Sequence, residues 1–122
     1  MRSILFVDDE PSVLDDMREA LLPLGGRYSM VFADGGRAAL ERLALRRFDA
    51  VVTDMRMPGM DGSALLAAVQ AQHPTTIRVV LSGIGELAVV QAASTAHLFL
   101  AKPCGAAELM TTIDRACRRC EP

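Results

Sequence analysis

An α/β fold built on a parallel sheet is predicted by three features of this 122-residue chain. Apolar runs at Ile4 to Val7, Ala50 to Thr53 and Leu98 to Ala101 are short and continuous rather than alternating, as strands buried on both faces are. Segments with apolar residues at helical spacing lie between such runs. Polar residues stand at their C-terminal ends: Asp8, Asp9 and Glu10 after the first, Asp54 after the second, Lys102 after the third. That is the side of an open parallel sheet on which ligands collect. Strands alternating with helices make βα units, and right-handed crossovers place helices on both faces.

The elements follow in order. After the first strand, Glu10-Pro11-Ser12 opens a helix, since proline suits the first helical position. Leu14, Met17, Leu21 and Leu24 carry its apolar face, and Gly25-Gly26 is expected to end it. Tyr28 to Ala33 alternates and reads as a strand at a sheet edge, broken by Asp34-Gly35-Gly36. A second helix is expected from about Arg37 to Arg46, with Ala39, Leu40 and Leu43 on one face, before the strand Ala50 to Thr53. Met55 to Gly62, with one proline and two glycines, is a loop that restarts as helix near Ser63 and runs to Pro74. Ile77 to Leu81 is the fourth strand, ending at Ser82-Gly83. A fourth helix from roughly Glu86 to Ala93 is weakly specified, because Val89-Val90 and Ser94-Thr95 are poor helix formers. Leu98 to Ala101 is the fifth strand, and a final helix runs from Gly105 toward Cys120.

Composition bounds the function. The chain is 51% hydrophobic and 23% charged, and none of its apolar stretches approaches the ~20 residues that span a bilayer. A formal charge of −2 gives no broad attraction to nucleic acid or anionic lipid. Arg46-Arg47 and Arg118-Arg119 read as solvated helix ends near the negative pole of the dipole. Met1-Arg2-Ser3 leads into a strand rather than a secretory leader, so a cytoplasmic location is expected. Cys104, Cys117 and Cys120, an odd number near the end of the chain, argue against a secreted disulfide framework. The lone Cys117-x-x-Cys120 lacks a second ligand pair for zinc. His73 and His97 read as polar surface or loop residues. With neither an internal repeat nor a linker, residues 1–122 are expected to form one domain.

Four motifs in order, Val7-Asp8-Asp9-Glu10, Thr53 through Gly62 (TDMRMPGMDG), Leu81-Ser82-Gly83 and Lys102-Pro103, resemble the receiver domain of bacterial response regulators. The resemblance covers essentially the whole chain. It implies a flavodoxin-like, doubly wound, five-stranded parallel sheet of order 2-1-3-4-5 with helices on both faces. It also implies Asp54 as phosphoacceptor, Mg²⁺ held by Asp8, Asp9, Asp54 and the backbone carbonyl of Arg56, and Lys102 and Ser82 contacting the phosphoryl group. Ser82 and Phe99 are the implied switch pair, with a cis Lys102-Pro103 bond beside them, and the surface around the fourth helix and fifth strand responds. The implied partners are a sensor histidine kinase or phosphotransfer protein and an unspecified output domain or protein. Neither membrane nor nucleic acid is expected to bind to the chain itself, and the resemblance leaves the oligomeric state open.

The chemistry of the residues supports that implication. A carboxylate among carboxylates attacks phosphorus only if its neighbours' charge is screened, and Mg²⁺ accepts a few carboxylate oxygens together with waters and a phosphoryl oxygen. Two departures stand out: Thr95-Ala96-His97-Leu98-Phe99 precedes the lysine, and Cys104-Gly105 follows the proline, where receivers often carry Gly-Ala and Phe-Asp. Gly83 beside Ser82 and the long cation Arg56 beside Asp54 are expected to ease access for small phosphodonors and to alter acyl-phosphate lifetime. The rival readings are a phosphorylation-independent interaction module of the same fold, an aspartate-nucleophile phosphohydrolase and a flavodoxin. The phosphohydrolase needs Asp-x-Asp where this chain has Asp8-Asp9-Glu10, and the flavodoxin needs a Ser/Thr/Gly-rich loop where Glu10-Pro11-Ser12 stands.

Overall fold

The computed structural model describes residues 2–55, 57–82, 98–101 and 105–119. Strands β1 (Arg2–Val7), β2 (Tyr28–Ala33), β3 (Ala50–Asp54), β4 (Ile77–Ser82) and β5 (Leu98–Ala101) lie in the order β2-β1-β3-β4-β5. Every pair is parallel. Helices α1 (Pro11–Leu21), α2 (Gly36–Leu45) and α3 (Gly62–Gln72), with a C-terminal helix (Ala106–Arg119), cover the sheet.

Alternation along the buried strands divides the core. Ile4, Phe6, Ala50, Val52, Ile77, Val79 and Leu81 face Leu21 of α1 and Leu109, Met110, Ile113 and Cys117 of the C-terminal helix. Leu5, Val7, Val51 and Val80 face Ala39 and Leu43 of α2 and Leu65, Leu66 and Val69 of α3. Successive side chains point to opposite faces of a strand, so a run apolar at every position needs helices on both sides. Each Leu, Ile or Phe buried in these layers contributes about 1.5–3 kcal/mol relative to exposure.

β2 is the edge the alternation foretold. Only Tyr28 and Ala33, its ends, are fully buried. Phe32 stacks on Phe6 with ring centroids 5.2 Å apart, and the Arg18 guanidinium of α1 lies 4.6 Å over the Phe32 ring. A cation over an aromatic face leaves the strand's apolar side covered but its surface charged, one of the ways edge strands avoid pairing with other chains.

Several boundaries differ from the sequence reading. The first helix does not reach Gly25: it ends at Leu21, and Leu22–Leu24 form a 3₁₀ turn. Pro23 has no N–H for an α-helical bond, so the chain tightens into the shorter-range pattern. α2 begins at Gly36 and α3 at Gly62, each one residue earlier than expected, and β1 starts at Arg2 rather than Ile4. Arg46 is more than a solvated helix end, because its guanidinium donates to Ser3 Oγ and Ser29 Oγ, at 2.7 and 3.2 Å, and covers the Phe48 ring at 4.9 Å. Arg118 pairs with Asp114. His73 caps the end of α3, in keeping with a loop assignment, and Cys117 is buried in the core. Gly83, the helix expected from Glu86 to Ala93, His97, Cys104 and Cys120 lie outside the described residues.

Candidate functional site

Asp54 is the last residue of β3 and Asp8 the first after β1, and the two strands are neighbours in register Val7↔Thr53. One step further along both strands therefore sets Asp8 beside Asp54, at the roughly 4.8 Å spacing of adjacent strands. Two hydrogen bonds, one within the backbone and one to a side chain, fix the turn that follows β1. The Asp8 N–H donates to the Ala33 carbonyl at 3.2 Å, and Asp8 Oδ1 accepts from the Glu10 N–H at 3.0 Å. That second bond restrains the chain just before α1 starts at Pro11. Glu10 itself occupies the N-cap position without a side-chain cap.

The result is a compact acidic group. One carboxylate oxygen from each of Asp8, Asp9 and Asp54 lies within 4.8 Å of the others. Asp8 is buried and its two partners half-buried. Carboxylates so close repel one another strongly unless a cation lies among them. An octahedral Mg²⁺ with oxygens about 2.1 Å away sets neighbouring ligand oxygens about 3 Å apart and opposite ones about 4.2 Å apart. An all-oxygen donor set within 4.8 Å therefore fits such an ion after a small inward movement of the side chains.

The loop after Asp54 is built against the site. Met55 N–H donates to the Leu81 carbonyl at 3.2 Å, and Gly62 N–H returns to the Met55 carbonyl at 2.8 Å. Gly59 takes φ +81°, the left-handed region that favours glycine. Asp61 then caps α3, its Oδ1 accepting from the Ala64 N–H at 2.8 Å. At Gly62 a Cβ would collide with the Asp54 carbonyl oxygen, so the first turn of α3 rests directly on the backbone of the candidate nucleophile. Thr53 Oγ1 donates to that same carbonyl oxygen at 2.9 Å.

The other expected site residues are placed only in part. Ser82 ends β4, one residue beyond Leu81, the partner of Asp54, and it pairs in register with Ala101 at the end of β5. Phe99 lies within β5 opposite Val80. The side chains of Ser82 and Phe99, and the whole of Arg56, Lys102 and Pro103, lie outside the described residues. Sequence reasoning missed Asp61 as a helix cap, although Asp61-Gly62-Ser63-Ala64 carries the required side chain three residues before its amide partner.

Comparison with known proteins gives a consistent result. The family profile described as response regulator receiver domain matches residues 4–114. The transcriptional regulatory protein GlrR of Escherichia coli (strain K12) is 33% identical over 121 residues, covering 98% of this chain and 27% of that protein. The regulatory protein LuxO of Vibrio vulnificus is 35% identical over 115 residues, covering 93% and 25%. The chain thus spans about a third or less of the curated relatives it matches. Among solved structures, a response regulator receiver domain protein from Clostridium thermocellum superposes with TM-score 0.85 at 28% identity, covering 98% of this chain and 96% of that one. The signal receiver domain of an HD domain-containing protein from Pseudomonas fluorescens gives TM-score 0.86 at 32% identity, with the same coverage. No helix among the described residues is long and apolar enough to cross a membrane. Sequence, sheet order and acidic cluster therefore converge, and this chain belongs to the response regulator receiver domain family of two-component signalling.

Proposed function

We propose that this domain accepts a phosphoryl group on Asp54 from the phosphohistidine of a sensor kinase or phosphotransfer protein. The convergence of Asp8, Asp9 and Asp54 on one small volume carries the reading. Asp8, Asp9, Asp54 and the Arg56 carbonyl would hold Mg²⁺, which when bound neutralises charge on the phosphoryl oxygens. An Asp54 carboxylate oxygen forms the new bond to phosphorus as the P–N bond to imidazole breaks, and the freed imidazole takes up a proton. Such transfers need little beyond positioning and charge neutralisation. The Lys102 ammonium and the Ser82 hydroxyl would supply further donors to the phosphoryl oxygens.

The finer architecture belongs to the same reading: a complete flavodoxin-like, doubly wound five-stranded fold over residues 1–122, acting in the cytoplasm, with a crossover helix near Glu86 to Ala93. A phosphoryl group adds up to about two negative charges. Ser82 and Phe99 would reorient around it, beside the Lys102-Pro103 bond, shifting the surface around that helix and β5 toward an output partner. The relatives are regulators several times longer, which supports an output segment outside this chain.

Incubation with Mg²⁺ and acetyl phosphate, read by intact mass, tests the proposal. A single phosphoryl adduct on the wild type and none on Asp54→Asn supports it. If instead no adduct forms, a phosphorylation-independent interaction module is favoured, and an adduct that persists in Asp54→Asn puts the acceptor at another residue.

A further inference from the structure

Gly36 opens α2 on the same face of the sheet as the loop that follows Asp54, and the two segments meet at Met60. A Cβ on Gly36 would lie 2.8 Å from Met60 Sδ and 2.9 Å from both Met60 Cβ and Cγ. Two of these atoms belong to the flexible part of the side chain. The Cβ does not, so a side chain at position 36 displaces the Met60 backbone as well as its thioether. Adjacent Gly35 is different, with open space where its Cβ would stand.

From Met60 the path to the reacting carboxylate is short. Met60 N–H donates to the Pro58 carbonyl at 2.9 Å, and Gly62, two residues on, bonds the Met55 carbonyl and abuts the Asp54 carbonyl oxygen. Met60 itself packs against the core layer of α2 and α3. The loop is thus held at two points, by Met60 on bare Gly36 and by bare Gly62 on the Asp54 backbone. A displacement at the first is passed through two residues to the second.

We infer that Gly36 is a positioning residue for the phosphoacceptor site: by giving Met60 a seat without a Cβ, it holds in place the loop that packs on the Asp54 backbone beside Asp8 and Asp9. The inference rests on the proposed function and concerns the geometry of the same site. Helix propensity makes the opposite forecast, since alanine is the better helix former than glycine, so the direction of change separates the two effects.

The experiment compares wild type, Gly36→Ala, Gly35→Ala, Met60→Gly and the double variant Gly36→Ala/Met60→Gly. Mg²⁺ affinity is measured by calorimetry, and amide exchange at Gly62 is measured without metal. Gly36→Ala is expected to weaken Mg²⁺ binding at least threefold and to speed Gly62 exchange, while Gly35→Ala matches the wild type. In the Met60→Gly background, which removes all three opposing side-chain atoms, adding Gly36→Ala should change neither quantity, the signature of direct coupling. Wild-type values in Gly36→Ala, or an equal loss in the Met60→Gly background, would overturn the inference. A wild type that binds no Mg²⁺ and takes no phosphoryl group overturns the functional reading instead, and the exchange data still report on the contact.

Discussion

Gly62 sets its bare Cα against the backbone carbonyl of Asp54, at a spot where a Cβ would strike that oxygen and lie 3.0 Å from Met55 Cα. The opposing atoms are backbone and cannot rotate away. Gly62→Ala should therefore destabilise the fold by about 1–3 kcal/mol, the usual cost of overpacking, even though alanine gains up to ~1 kcal/mol in helix propensity. Urea denaturation checks the sign, and a more stable Gly62→Ala would show that α3 moves freely off Asp54.

The acidic cluster predicts opposite effects of one substitution with and without metal. Asp9→Asn removes one of three mutually repelling carboxylates and should raise the stability of the metal-free protein by roughly 0.5–1 kcal/mol, the scale of a partly exposed charge pair. Wild type should gain about 2.7 kcal/mol at Mg²⁺ a hundredfold above its dissociation constant, by mass action. Asp9→Asn should lose most of that gain. Thermal melts with Mg²⁺ or EDTA give both numbers, and parallel responses in the two proteins would count against Asp9 as a ligand.

Asp114 of the C-terminal helix supplies a pH signature away from the site. Burial alone would raise its carboxyl pKa, but hydrogen bonds and charge from Arg118 and Arg2 outweigh that and hold it below the ordinary value. The Arg2 Nε to Asp114 Oδ1 distance is 3.2 Å, tying β1 to the last helix. A carboxyl with a depressed folded-state pKa contributes stability above its unfolded value of ~3.9 and loses it as pH falls through the lower folded value. The difference in urea midpoint between wild type and Asp114→Asn should stay constant above about pH 5 and shrink below about pH 4. A difference that grows on acidification would refute the assignment.

Two leucines test the division between core and surface. Leu65 of α3 is fully buried in the layer with Val51 and Val80, whereas Leu45 at the end of α2 is 81% exposed. Leu65→Ala should cost about 2–5 kcal/mol through lost transfer energy and a residual cavity. Leu45→Ala should change stability by less than about 0.5 kcal/mol. Comparable losses in the two variants would mean that α3 is not seated on the sheet as described.

Periodicity and punctuation already specified the alternation of strands and helices, because burial on both faces forces continuous apolar runs and helices need an apolar stripe. The same logic marked Asp8, Asp9 and Asp54, since polar residues ending apolar strands have few places to lie other than the C-terminal edge of the sheet. Local chemistry also locates the start of α1 at Pro11, whereas its end is set by Pro23, one turn before the glycines that the apolar spacing points to. Contacts between segments distant in sequence were not legible. The meeting of Gly36 with Met60, the approach of Gly62 to Asp54 and the bridge from Arg46 to Ser3 and Ser29 depend on how helices settle on a twisted sheet. A residue's period and its neighbours reveal which face it occupies. They do not reveal which atom of another element will stand opposite, because close packing in the assembled core decides that.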